Sequence, residues 1–160
     1  MDSIRLRDLF RNTAEYENKQ VVVHGWVRNN RNSNKFGFIE LNDGTFFKSV
    51  QVVYEEEFIS NFEEISKAYV ATALKVTGTV VPTPGAKQPF EIKATEIEIE
   101  GTSTPDYPLQ PKRHTLEFLR DIAYLRPRTR LFQAVFRVRS IAAQAVHNYF
   151  QSRGYVYVHT

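Results

Sequence analysis

Two hydrophobic periods divide this chain. Between residues 20 and 100 apolar side chains recur mostly at every second position, the period of strands; beyond residue 115 they recur at every third or fourth, the period of helices. Residues 20–28 place Val21, Val23 and Val27 on one parity and His24, Trp26 and Arg28 on the other. Gly25 within that run marks a bulge or a close backbone approach. Residues 29–35, rich in Asn, Ser, Arg and Lys, read as a turn. In residues 36–42, Ile39 and Leu41 oppose Phe36, Phe38 and Glu40, and Asn42-Asp43-Gly44 is a strong turn signal. Residues 49–54 set Val50 and Val52 against Gln51.

Residues 58–69 then adopt helical spacing through Phe58, Ile59, Phe62, Ile65 and Tyr69, and residues 73–81 alternate again. After a loop over 82–89, residues 90–100 form a last strand. Its apolar parity flips between Ala94 and Ile97, which predicts one extra residue, a bulge near Thr95 or Glu96. At the start of the chain, residues 3–10 predict a short amphipathic helix with Ser3 as its cap, followed by a polar connection over 12–19. Three strands, one helix and two strands predict a β-rich (α+β) chain built on a five-stranded Greek-key barrel of the OB type. A single intervening helix argues against an alternating parallel sheet.

Residues 101–111 carry three prolines and no periodicity, the composition of a semi-stiff linker. A short helix over 115–124, capped by Thr115, is broken by Pro127. Residues 131–153 form a long helix, about 35 Å at 1.5 Å per residue. Leu131, Val135, Val138, Ala142, Ala145 and Tyr149 make a continuous seam along it, and Phe132, Phe136, Val146 and Phe150 widen the apolar face. Gly154 ends the helix, and residues 155–160 open a strand. The expected division is a barrel over 1–103, a linker and hinge over 104–130, and the start of a further domain over 131–160.

Composition narrows the chemistry. Of 160 residues, 42% are hydrophobic and 24% charged, as in an ordinary globular protein. With no cysteine, disulfides and thiolate metal sites are excluded. His24, His114, His147 and His159 are scattered and form no ligand set, so no metal is expected. No apolar run is long enough for a membrane span and the first ten residues are not a signal peptide, which makes the cytoplasm the simplest location. The net charge of +3 says little by itself. Its distribution says more: residues 112–139 hold eight Lys or Arg against Glu117 and Asp121. Such a block suits a polyanion, or else a solvated helix face. The glycines are dispersed, and none forms a phosphate-cradling loop.

The candidate site lies in residues 24–54, where the outward parity combines an aromatic, an amide and several arginines. That set can grip the bases and phosphates of single-stranded nucleic acid. Phe38 can stack an unpaired base or plug the barrel mouth. Gln51 can read a base edge or simply be solvated. Trp26 can line the site or belong to the core, and Arg28 can line it beside Trp26.

The segments HGWVRNNR, FGFIELNDG and VQVV resemble the anticodon-binding OB domain of the class IIb aminoacyl-tRNA synthetases. PGAKQPFEIKATEIEIEG and KRHTLEFLRDIAYLRPRT are similar to the asparaginyl-tRNA synthetases within that class. FRVRSIAAQAVHNYFQSRGYVYVHT resembles the first of the three class II motifs. The resemblance spans essentially the whole chain. It implies that Phe38 stacks on the central anticodon base, a uracil, that Gln51 hydrogen-bonds the same base, and that Arg31 assists. It further implies a parent enzyme that joins asparagine to its tRNA, of GUU anticodon, using ATP and magnesium. Residues 131–160 would then open the class II catalytic domain, with Leu131, Val135, Val138, Ala142 and Tyr149 at a homodimer interface. The second and third motifs are absent from these 160 residues, so this piece needs no cofactor and is expected to bind without catalysing. The competing readings are a non-catalytic OB-fold protein that binds single-stranded RNA, and an aspartyl-type synthetase, which shares the central uracil contact.

Overall fold

A computed structural model describes residues 2–86 and 88–159. The chain divides into two compact units, Met1–Lys112 and Arg113–Thr160.

The first unit is a closed barrel with strand order β1-β2-β3-β5-β4. Its strands are β1 (Gln20–Asn32), β2 (Phe36–Asn42), β3 (Val50–Glu55), β4 (Ala73–Pro82) and β5 (Phe90–Gly101). Neighbours pair antiparallel except β3 with β5, whose short parallel contact sets Val52 beside Ile92 and closes the barrel. Inward residues such as Val23, Ile39, Leu41, Val52, Val76 and Ile92 are fully or almost fully buried. Each stands on the parity that the alternation assigns to the core.

β1 runs to Asn32, four residues beyond the expected boundary at Arg28, and the turn shrinks to residues 33–35. The cause is a non-local bond set. Asn30 turns inward, its side-chain amide donating to the carbonyls of Ile65 (2.8 Å) and Ala68 (3.3 Å) while its oxygen accepts from the Tyr54 hydroxyl (3.0 Å). β1 therefore pairs with β4 over its first half and with β2 over its second, and the register shift between Val27 and Asn29 puts the bulge at Arg28. At Gly25 it is the close approach that holds: a Cβ there would lie 3.0 Å from the Asn42 carbonyl oxygen and from the Leu41 side chain. In β5 the register with β4 shifts between Thr77 and Gly78, leaving Thr95 unpaired as the extra residue. The parity flip located that bulge.

The helices of this unit differ more from expectation. α1 (Leu6–Arg11) starts three residues late, and Ser3 pairs with Val22 instead of capping. The cap comes from across the fold: the Asp43 carboxylate accepts from the Leu6 amide (2.8 Å) and the Thr45 hydroxyl from the Arg7 amide (3.1 Å). α2 (Thr13–Tyr16) adds a turn where a plain connection was expected. α3 (Phe62–Ser66) is five residues long, not the twelve of 58–69. Ile59 and Ile65 are buried and the Phe62 ring packs 5.4 Å from that of Tyr54, but Phe58 and Tyr69 face solvent. Asn30 holds the carbonyls with which a longer helix would have continued.

In the second unit, α4 (Leu116–Asp121) is capped by Thr115, whose hydroxyl accepts from the Phe118 amide. A 3-10 turn, Arg126–Arg128, holds Pro127. α5 (Arg130–Gln151) is capped by Thr129 and followed by Gly154 at φ +84°. No residue of α5 is buried; Leu131, Val135, Val138 and Tyr149 of the seam are 44% to 67% exposed, and Ala142 is exposed as well. Residues 155–159 form no strand, contrary to the pattern. A strand needs a neighbour to take its backbone bonds.

Candidate nucleic-acid interface

On the outer face of the barrel, β1, β2 and β3 lie side by side, and pleating sends alternate side chains to the same surface. Arg31 of β1 stands opposite Phe38 of β2, which in turn stands opposite Val53 of β3; Gln51 lies one pleat along, opposite Glu40. Arg31, Phe38 and Gln51 come together with Asn32, Ser33 and Phe36 around an open concavity of about 320 Å³. Phe36 and Phe38 meet edge to face, centroids 5.6 Å apart. That contact braces the Phe38 ring, which is half-buried, while Phe36 is 44% exposed.

Gln51 is held at two points. Its backbone amide donates to the side-chain oxygen of Gln88 (3.2 Å), and its side-chain nitrogen donates to the Glu91 carboxylate (3.2 Å). The floor beneath β2 and β3 is firm. Tyr54 stands opposite Gly37 and is fully buried. Burial raises its phenol pKa, partly offset by its bond to Asn30.

Trp26 and Arg28 take other positions. Trp26, 42% exposed, lines a separate concavity of about 160 Å³ with His24, Asp43, Ala73 and Glu100. There the His24 ring nitrogen lies 2.9 Å from the Glu100 carboxylate. Arg28, half-buried, occupies the β1 bulge and is not among the residues lining the Phe38 concavity. On the neighbouring surface Lys75 and Glu98 pair at 2.9 Å, a contact that raises the lysine pKa and lowers that of the carboxylate.

Sequence reasoning assigned no role to Phe36, Gln88 or Glu91. Phe36 shares the parity of Phe38 two residues away, and that signal was available. Gln88 and Glu91 reach Gln51 through the meeting of β3 with β5, which no local pattern encodes. Among the described residues, no three His, Asp or Glu side chains gather as a metal ion would require. No helix among them is long and apolar enough to cross a membrane.

A family model, the tRNA anti-codon OB-fold nucleic acid binding domain, matches residues 21–100. The asparagine–tRNA ligase of Acetivibrio thermocellus is 61% identical over 160 residues, which cover all of this chain and 34% of that protein. The chain thus spans about a third of the length of the curated relatives it matches. Among solved structures, the asparaginyl-tRNA synthetase of Pyrococcus horikoshii complexed with asparaginyl-adenylate superposes with a TM-score of 0.84 at 23% identity, over 99% of this chain and 36% of that one. The aspartyl tRNA synthetase of Entamoeba histolytica gives 0.82 at 18% identity, over 100% of this chain and 39% of that one. At such identities these two likenesses speak for the fold alone.

Proposed function

The chain belongs to the OB-fold nucleic acid binding domain family, and from that premise we propose that its barrel reads the anticodon of an asparagine-specific tRNA as the N-terminal part of an asparagine–tRNA ligase. The observation that carries this reading is the gathering of Phe38, Gln51 and Arg31 around one concavity. A half-buried aromatic ring braced by a second one offers a flat apolar face on which an unstacked base can lie, worth about 1–3 kcal/mol. Gln51 stands one pleat away, in reach of the edge of a base on that ring, and its amide can read the pairing edge. Arg31 adds a cation that is always charged and suits phosphate. The central U of a GUU anticodon is the base assigned to this position. Trp26 and Arg28, outside this concavity, would serve neighbouring nucleotides.

In the whole enzyme, ATP and magnesium would drive the joining of asparagine to its tRNA, in the part of the relatives' length that this chain does not span. These 160 residues would bind without catalysing, and the enzyme would work in the cytoplasm. The exposed seam of Leu131, Val135, Val138, Ala142 and Tyr149 on α5 supports a homodimer in which it meets a second copy.

The test is a titration of the chain with an anticodon stem-loop bearing GUU and with one lacking the central U, each at two salt concentrations, for wild type and Phe38→Ala. Preference for GUU, weakened by about 1–3 kcal/mol in Phe38→Ala, is expected. Equal and steeply salt-dependent binding to both loops, untouched by Phe38→Ala, would leave only a basic surface and favour a generic single-stranded RNA binder.

A further inference from the structure

Closure of the barrel leaves part of one strand edge uncovered. β5 lies against β4 along its length, but β3 meets its other side only at Ile92 and Lys93. Beyond Lys93, β5 pairs among the described residues with β4 alone. The Ile97 carbonyl faces the uncovered side, where it accepts from the side-chain amide of Asn61 at 3.1 Å. In a strand the amide and carbonyl of one residue point the same way, and the next residue but one repeats them. The Ile97 amide and both backbone groups of Ile99 therefore face that side too. Between this edge and the segment leading into α3 runs a groove of about 360 Å³. Phe58 stands on one wall, 59% exposed, and Ile99 on the other, half-buried. Glu64, Glu96 and Glu98 rim it. Glu98 is paired with Lys75, but Glu64 and Glu96 form no salt bridge among the described residues.

We propose that this groove docks an extended basic segment of a partner protein, laid along the edge of β5. The backbone of such a segment takes the open groups of Ile97 and Ile99. Its apolar side chains meet Phe58 and Ile99, and the lysines or arginines between them reach Glu64 and Glu96. Charge decides the occupant. The chain as a whole carries +3, yet this rim is acidic and repels a phosphate backbone. A second copy of the same edge would bring carboxylates against carboxylates, the device by which exposed edges avoid pairing with themselves. A basic strand meets neither obstacle. Asn61, by holding the Ile97 carbonyl, fixes the groove wall before anything docks.

The experiment titrates both this chain and the whole protein with a short capped peptide of alternating lysine and valine. Its controls are the glutamate–valine counterpart and an isomer with the lysines in one block. Fluorescence anisotropy gives affinities, and amide NMR of the chain locates the peptide. The alternating lysine peptide is expected to bind both proteins, to shift the Ile97 and Ile99 amides first and to slow exchange at Ile99. The glutamate peptide is expected not to bind. Phe58→Ala, and Glu64→Gln combined with Glu96→Gln, should each weaken binding about tenfold at an unchanged urea midpoint, the scale of one anchor or charge pair at an interface. Equal binding of the block isomer, with shifts spread over other acidic surface, would be plain charge attraction. Shifts at Ile97 and Ile99 that grow with protein concentration alone would give the edge to a second copy, and shifts there on adding a GUU stem-loop would give it to RNA. Binding by the chain but not by the whole protein would give the groove to the rest of the parent. Each of these results overturns the proposal, as does no binding at all.

Discussion

Asn30→Ala tests whether one inward amide ties the barrel together. In the structure Asn30 accepts from the Tyr54 hydroxyl at 3.0 Å and donates to the Ile65 carbonyl at 2.8 Å, joining β1, β3 and the end of α3. Tyr54 has no exposed surface, so removal of its acceptor strands a hydroxyl away from water, at a cost of about 1–3 kcal/mol. Loss of the amide's bond to Ile65 adds about 0.5–1.5 kcal/mol, the ordinary net worth of one hydrogen bond. The sum is about 1.5–4.5 kcal/mol. Tyr54→Phe removes the hydroxyl without stranding it, and Asn30→Ala made in that background should cost only the smaller part, leaving a coupling of about 1–3 kcal/mol between the two residues. Urea unfolding of the four variants, followed by the fluorescence of the single tryptophan, reports on this unit because Trp26 lies on the same strand as Asn30. Additive single substitutions, or a cost below about 0.5 kcal/mol for Asn30→Ala, would refute the argument.

The same variants carry a pH prediction: burial raises the Tyr54 pKa in the folded chain, so the folded state holds that proton longer than the unfolded one. The stability it contributes is complete below the unfolded phenol pKa, about 10, and is lost as pH rises toward the folded value; Tyr54→Phe should flatten that alkaline limb, and an unchanged limb would count against it. Gly78→Ala should cost at least about 1–3 kcal/mol, since its Cβ would clash with the Lys93 carbonyl oxygen, backbone that cannot swing aside; a wild-type urea midpoint would contradict this. Asp43→Ala should cost about 0.5–2 kcal/mol through loss of the remote cap on α1, with amide exchange at Leu6 rising first; unchanged protection there would show that the helix start needs no such acceptor.

What could be read from the chain alone followed from geometry that repeats at every residue. Alternation put Phe38 and Gln51 on the face opposite Ile39, Leu41, Val50 and Val52, because a pleated backbone allows no other arrangement. A parity flip in β5 announced its bulge for the same reason. Thr115 was legible as a cap because its bond reaches only three residues along. Other features were hidden in the sequence: the extension of β1 by Asn30, the capping of α1 by Asp43 and the hold of Glu91 on Gln51. These join residues 35, 37 and 40 positions apart. A polar side chain in a turn-like stretch looks the same whether it meets water or a carbonyl brought from elsewhere. Only closure of the barrel, with β5 laid parallel against β3, decides which of these groups become neighbours. The parity of the candidate site was therefore written locally, while the orientation of the Gln51 amide was settled by the tertiary fold.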